Sequence, residues 1–254
     1  DEKFHRDLDA FWNETVPWLA QRGVKIAPNV CYLGSHPEYW QRLDNLEHPP
    51  WAAMEEAGFI CPYGGQSFNT WSWKQVVDGI RGMKRVIVLV NNHGVVESDA
   101  QGLARMDSAG QSKSHGDTMT GWEALWFAMT SFLLAFDDVR CNAIMSFTVW
   151  GYSEYHWFDE FDPRYIHLGR AVGEYFQSGQ IYMREFEDGW VAVNPSQQDA
   201  SGVAVPAGRA RVINHDNFRN PDAAPLVGNF DLPKHRGVIL LREGRQLGNS
   251  DNVF

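Results

Sequence analysis

Apolar residues recur at steps of three and four along several stretches of the chain, and short continuous apolar runs lie between those stretches. Steps of three and four place the apolar side chains on one face of an α-helix. The pattern predicts helices over residues 3–21, 71–83 and 119–136, a looser helical region over 37–56, and a short helix near 164–176.

The continuous apolar runs predict β-strands over residues 24–30, 58–61, 85–91 and 143–150. The run at 85–91 is apolar throughout its centre, which is typical of a parallel strand that is buried on both faces. Helices and strands alternate, so we expect parallel strands joined by right-handed crossovers. Four such βα units make either half of an eight-stranded barrel or a small open sheet.

The pattern of apolar and polar residues changes after about residue 180, where it predicts short strands separated by turns. Residues 181–186 and 190–193 flank Glu187-Asp188-Gly189, and an Asp-Gly pair between two strands is typical of a hairpin. We therefore expect an α/β domain of the catalytic type over residues 1–176 and a small antiparallel, sandwich-like β domain over 177–254.

Composition excludes several classes of partner and cofactor. Lys and Arg number 22 against 32 Asp and Glu, so the net charge is 22 − 32 = −10, which disfavours nucleic acid as a partner. No apolar run approaches the roughly 20 residues of a membrane span, so a membrane partner is not expected either. The phosphate-binding patterns G-x-G-x-x-G and the P-loop do not occur, so we expect no nucleotide cofactor.

Tryptophan is the one unusual component, with 11 residues in 254. Indole rings stack on sugar rings, although core packing is the alternative for each single tryptophan. Three cysteines at wide spacing indicate neither a disulfide framework nor a zinc site. His115 and Asp117 share a loop but lack a third ligand, so no metal is expected.

The clearest family signal lies at the junction of the two predicted domains. Leu168-Gly169 and Gly173 give the pattern L-G-x-x-x-G, and residues 182–195 read Y-x-R-x-F-x-x-G-x-V-x-V-N-P. This segment resembles the junction in glycoside hydrolase-like proteins in which a TIM barrel is followed by a β-rich C-terminal domain. Residues 232–241 are similar to the closing strands of that domain, and residues 119–136 resemble the last barrel helix.

The resemblance implies a glycoside hydrolase-like fold and a carbohydrate ligand. The chain matches the second half of such a barrel, so the partial (β/α) barrel would need an upstream segment, a partner chain or a homo-oligomer to complete it. The resemblance implies either a hydrolase or, as the alternative, a non-catalytic structural or interaction subunit with a degenerate hydrolase fold. Localisation stays open, with a secreted or extracytoplasmic protein as one expectation.

Active sites of (β/α) barrels lie at the carboxyl ends of the strands. Glycoside hydrolysis usually needs two carboxylates there. The resemblance places one acid after the strand at 58–61, where this chain has Cys61-Pro62-Tyr63 instead, and Glu55 and Glu56 precede that strand and so fall at the wrong end. The candidate catalytic acids are therefore the loop residues Glu154, which lies among aromatic neighbours, and Glu97. The candidate substrate-binding residues are Asn29, Tyr63, Asn91, His93, Trp150 and Trp157.

Overall fold

A computed structural model of the protein describes residues 2–56, 58–60, 73–94, 106–107, 109–112, 117–149 and 156–244. The helices and strands before residue 150 are α1 (Glu2–Ala20), α2 (Pro37–Asp44), β1 (Ala52–Glu55), α3 (Trp73–Gly82), β2 (Ile87–His93), β3 (Ala109–Ser112), β4 (Asp117–Thr120), α4 (Gly121–Ala135) and β5 (Ala143–Thr148). A short 3₁₀ helix follows at Asp159–Phe161.

The strands β1, β2 and β5 form a parallel sheet in that order. Ala52 pairs with Ile87 at the start of the β1–β2 ladder, and the β2–β5 ladder ends where His93 pairs with Thr148. A single parallel bridge between Asn29 and Met54 lies on the other side of β1. The carboxyl ends of three neighbouring strands therefore meet at one edge of this sheet.

The expected partial (β/α) barrel of about four βα units, similar to the second half of a TIM barrel, is wrong. Within the described residues the parallel sheet has three strands, accompanied by separate antiparallel sheets. The expected strand at 24–30 is reduced to the bridge at Asn29, partly because Pro28 has no N–H to donate. The expected strand at 58–61 does not form over residues 58–60, because the side chain of Asn92 satisfies the N–H groups of Phe59 and Ile60.

Three further expectations also change. The looser helical region at 37–56 divides into α2 and the strand β1, which begins directly after Pro49-Pro50 and Trp51. The short helix near 164–176 does not form. Residues 109–112 and 117–120 pair as a small hairpin of β3 and β4, so the helix expected over 119–136 begins two residues later, at Gly121.

The helix α4 lies at the centre of the core and is buried on almost every side. It begins with a capping box, in which Thr120 Oγ1 accepts from the Glu123 N–H and the Glu123 carboxylate accepts from the Thr120 N–H. It contacts α3, β5 and two C-terminal strands, β8 (Gly189–Asn194) and β13 (Arg236–Arg242). At Gly237 the backbone of β13 approaches α4 so closely that a Cβ would lie 1.8 Å from Thr130 Oγ1.

The C-terminal strands are β6 (Phe176–Ser178), β7 (Ile181–Phe186), β8 (Gly189–Asn194), β9 (Ala200–Ala204), β10 (Ala210–Ile213), β11 (Leu226–Val227), β12 (Asn229–Leu232) and β13 (Arg236–Arg242). Six of them form an antiparallel sheet in the order β11-β10-β13-β8-β7-β6, and β12 pairs with β9. The expected hairpin of β7 and β8 forms, but its two turn residues are Glu187 and Asp188, and Gly189 is the first residue of β8.

Residues on both sides of position 177 contribute to one hydrophobic core. Val191, Ile213 and Leu241 of the antiparallel sheet cluster with Leu125 of α4 and Val88 of the parallel sheet. A second cluster lies among the C-terminal strands themselves. The cores of the two parts are therefore continuous. The division into domains at residues 1–176 and 177–254 stays a prediction.

Candidate active site

Strand register determines which residues share the open face of the parallel sheet. Asn91 pairs with Ser146, and His93 pairs with Thr148. Residues in register on parallel strands point to the same face, and alternate residues point to opposite faces. Ser146 is exposed, so this face is open to solvent, whereas Val88 and Val90 pack into the core on the opposite face.

Glu56 follows β1 directly and places a half-buried carboxylate at the carboxyl edge of the sheet. Its Oε2 atom accepts a hydrogen bond of 2.9 Å from Asn29 Nδ2. The thiol of Cys31 donates to Asn29 Oδ1 at 2.8 Å and lies 3.6 Å from the same carboxylate oxygen. The Glu56 carboxylate is thus held in one place by two groups from the neighbouring segment.

The segment that carries Asn29 is held in an uncommon conformation. Cys31 and Tyr32 both have positive φ angles, 53° and 59°, which side chains other than glycine rarely adopt. The N–H of Leu33 donates to the buried Glu55 carboxylate at 2.6 Å, and Trp40 Nε1 donates to the Cys31 carbonyl at 2.8 Å. Backbone strain of this kind persists where surrounding contacts fix it, and it clusters at functional sites.

Burial also sets the state of the Cys31 thiol. The thiol is partly buried next to two carboxylates. This burial is the main reason that its pKa is raised to about 11, and the negative charges of Glu55 and Glu56 raise it further. The sulfur is therefore a protonated donor near neutral pH rather than a thiolate nucleophile.

His93 is buried at the end of β2 and connects the three strands. Its Nε2 atom lies 3.0 Å from the Glu56 backbone oxygen, and its Nδ1 atom lies 2.9 Å from Thr148 Oγ1. A carbonyl oxygen only accepts, so Nε2 carries the proton and Nδ1 accepts from the threonine hydroxyl. Burial lowers the pKa of His93 below its ordinary value, which keeps the imidazole neutral.

Asn92 supports this edge from the buried face. Its Oδ1 atom accepts from the N–H of Phe59 at 2.7 Å and from that of Ile60 at 3.3 Å, and its Nδ2 atom donates to the Ser146 carbonyl. Gly58 has a φ of 42°, and a Cβ there would lie 2.4 Å from Asn92 Oδ1. The chain after Glu56 therefore needs a glycine to pass over β2.

The model of one protein family, the hypothetical glycosyl hydrolase family 15, matches residues 35–190. The chain belongs to this family. The match spans more than half of the chain and includes β1, β2, β5 and α4. It confirms the glycoside hydrolase-like family that the junction motif indicated, while a TIM barrel is not confirmed. None of the curated proteins matches the chain.

In this member of the hypothetical glycosyl hydrolase family 15, three of the predicted binding residues come together. Asn29 and His93 both contact Glu56, and Asn91 lies beside His93, with 3.3 Å between Asn91 Nδ2 and His93 Nε2. Trp157 is exposed, and its ring packs edge to face against Phe161. The other candidates lie outside the described residues and stay predictions: Glu97, Glu154, Tyr63 and Trp150.

Sequence reasoning missed Glu56 because it placed the strand six residues too late. With the strand expected at 58–61, Glu55 and Glu56 fell at the amino end of the sheet. The observed β1 ends at Glu55, so both acids lie at the carboxyl edge, where the backbone of Glu56 contacts His93. The signal that could have found them is the run Ala52-Ala53-Met54, which follows two prolines and is short enough for a strand.

Among the described residues, no group of three or more His, Cys, Asp or Glu side chains is arranged to hold a metal ion. Within the same part of the chain, no helix has both the length and the apolar character that crossing a membrane demands. The chemistry that the described edge offers is therefore that of a carboxylate, amides, hydroxyls and a neutral imidazole.

Proposed function

We propose that the chain is a glycoside hydrolase that binds a polysaccharide across the open face and carboxyl edge of the parallel sheet, with Glu56 as one of its two catalytic carboxylates. The observation that carries the proposal is the Glu56 carboxylate at the end of β1, oriented by Asn29 Nδ2. Membership of the glycosyl hydrolase family supports the reaction class.

A pair of carboxylates hydrolyses a glycosidic bond by acid–base chemistry. One group protonates the leaving oxygen, and the other either assists a water molecule or attacks the anomeric carbon itself. Glu55 does not supply the second group, because it is buried on the opposite side of the strand and bound to the Leu33 N–H. We propose that Glu97 or Glu154 supplies it, since each follows a strand, β2 or β5, that ends at the same edge.

The surrounding polar groups suit sugar hydroxyls. Asn29 is exposed beside Glu56 and offers an amide, and Ser146 offers an exposed hydroxyl that donates to Asn91 Oδ1 at 2.8 Å. His93 is too deeply buried to contact a polysaccharide and acts as a positioning residue. Trp157, with its exposed ring, is proposed as a stacking surface for the same ligand.

Release of reducing ends from a panel of polysaccharides tests the proposal. Glu56→Gln keeps the size of the side chain and removes its acid–base function, so we expect about a 10³-fold loss of rate. Glu47→Gln is the matched control, because Glu47 is an exposed acid outside the site, and its rate should not change. Glu97→Gln and Glu154→Gln identify the partner, since one of them should lose activity to a similar degree.

Two outcomes contradict the proposal. Unchanged hydrolysis by Glu56→Gln would remove Glu56 from the reaction. A wild-type protein that binds a polysaccharide but releases no reducing ends would support the non-catalytic alternative.

A further inference from the structure

A cavity of about 530 Å³ lies between the first turns of α4 and the C-terminal strands. The side of α4 supplies Trp122, Glu123 and Trp126, and the C-terminal part supplies His215, Asp231 and Arg236. None of its described lining residues belongs to the group around Glu56. We call it the Trp122 cavity.

The aromatic wall of the Trp122 cavity is fixed in place. The rings of Trp122 and His215 stack with 4.0 Å between centroids and 10° between planes. Trp122 Nε1 donates to Asp107 Oδ1 at 2.8 Å, and His215 Nδ1 lies 2.7 Å from the buried carboxylate of Glu160. An indole that is held on its face and at its N–H loses little conformational entropy when a ligand packs against it.

The polar groups are equally organised. Arg236 Nε pairs with Glu123 Oε1 at 3.0 Å, while Glu123 Oε2 caps α4. Trp126 is 2% exposed and lines the cavity, and its Nε1 has no hydrogen-bond acceptor among the described residues. Buried indole N–H groups usually have a partner, so within the described part of the chain the Trp126 N–H is a donor with no acceptor.

The charge of the cavity limits the ligand. Four carboxylates, those of Asp107, Glu123, Asp216 and Asp231, line it against the single guanidinium of Arg236. With neutral histidine the described lining therefore carries 1 − 4 = −3. A negatively charged ligand would be repelled, whereas hydroxyl and amino groups find acceptors.

We propose that the Trp122 cavity is a second binding site, for a sugar unit that carries hydroxyl or amino groups and no acidic group. An aromatic face beside carboxylates and a guanidinium is the combination that an amphipathic sugar ring needs. The volume lies within the usual range for small-ligand sites. The inference rests on the proposed function in one respect, which is that the proposed function makes a sugar the expected class of ligand.

Titration of the full chain with soluble oligosaccharides tests the inference. The probes are neutral glucose and N-acetylglucosamine oligomers, glucosamine oligomers and galacturonate oligomers, added to the Glu56→Gln protein so that they stay intact. We expect the indole N–H signal of Trp122, assigned by its loss in Trp122→Phe, to shift with neutral or amino probes and not with galacturonate.

Variants separate this site from others. Trp122→Ala should lower the calorimetric affinity of this site at least about tenfold, and Trp122→Phe should keep part of it. Trp18→Ala, which removes an exposed indole on α1, should change nothing. Asp216→Lys changes an exposed residue and reduces the negative charge, so galacturonate should then bind more tightly if the charge argument is correct.

Three results would overturn the inference: no shift of the Trp122 signal with any neutral or amino probe, an equal affinity for galacturonate, or an unchanged affinity in a folded Trp122→Ala protein. Failure of the proposed function looks different. In that case wild-type protein releases no reducing ends, while binding at the Trp122 cavity persists.

Discussion

His93 Nε2 lies 3.0 Å from the backbone oxygen of Glu56, so the last residue of β2 fixes the point at which the chain leaves β1. The imidazole is 3% exposed and must stay neutral to accept the hydroxyl hydrogen of Thr148 at Nδ1. Its burial lowers its pKa, with the hydrogen bond to the Glu56 backbone acting weakly in the opposite direction. The position of the proposed catalytic acid, Glu56, therefore depends on the protonation state of His93 at the end of the neighbouring strand.

The first prediction concerns stability against pH. The unfolded chain takes up a proton at His93 near the ordinary pKa of about 6.5, whereas the folded chain does so only at a lower pH. Between these two values the unfolded state binds more protons, so the free energy of unfolding falls as the pH decreases. Urea unfolding of the wild type should show this loss as the pH falls through about 6.5.

The variant His93→Gln cannot take up the proton, and its dependence on pH over this range should be weaker than that of the wild type. His48→Gln changes an exposed histidine and serves as the control, with the wild-type slope. If His93→Gln and the wild type lose stability in parallel, another group is responsible for the dependence.

Asn29 orients the Glu56 carboxylate, which leads to a prediction about rate. Asn29→Ala removes a hydrogen bond to a charged group, a contact of the kind that contributes about 1.5–3 kcal/mol, so kcat/KM should fall roughly tenfold to a hundredfold. Asn29 is exposed, and the fold should survive the substitution. Asn29→Asp should lower the rate further, because it places a second negative charge beside Glu56.

The control for Asn29 is Asn45→Ala, at an exposed residue after α2. Hydrolysis that is unchanged in Asn29→Ala would show that this amide does not position the reacting carboxylate.

The Cys31 thiol should react slowly. With a pKa of about 11, its thiolate fraction near pH 8 is roughly two orders of magnitude below that of an ordinary cysteine. Cys141 is exposed, so alkylation followed by peptide mapping should show Cys141 modified well before Cys31. Modification of Cys31 at the rate of a free thiol would contradict its burial beside Glu55 and Glu56.

The elements that sequence alone predicted well are those with strong local signals. The run at 85–91 formed β2 at Ile87–His93, and the stretch at 119–136 formed α4, because a continuous apolar run and a long apolar helix both need a buried position. The expected hairpin of β7 and β8 also formed, although its turn is Glu187-Asp188 and Gly189 pairs with Phe186 as part of β8. Asn29, Asn91 and His93 lie near the carboxyl ends of their segments, as the sequence predicted, and their role in binding stays a prediction.

The errors arose where tertiary contacts decide the structure. Gly58 to Ile60 carry an apolar strand pattern. The N–H groups of Phe59 and Ile60 nevertheless donate to the side chain of Asn92, more than thirty residues away in sequence. β1 is only four residues long, so its pattern is too short to separate from a helix end, and the site acid Glu56 was missed with it.

The last prediction tests the contact between α4 and the antiparallel sheet. A Cβ at Gly237 would lie 1.8 Å from Thr130 Oγ1 and 2.9 Å from Thr130 Cβ, and both residues are buried. Gly237→Ala should therefore lower the free energy of unfolding by about 2 kcal/mol, because α4 or β13 must shift within a packed core.

Gly82→Ala is the matched control. A Cβ at Gly82, the last residue of α3, meets no atom within 4 Å, so that variant should be as stable as the wild type or slightly more stable. Combining Gly237→Ala with Thr130→Ala, which removes Thr130 Oγ1 and the methyl group and leaves Cβ as the nearest atom, should recover part of the loss, and urea unfolding of the four proteins measures it. Equal stability of Gly237→Ala and Gly82→Ala would show that α4 and β13 do not approach as closely as their backbones indicate.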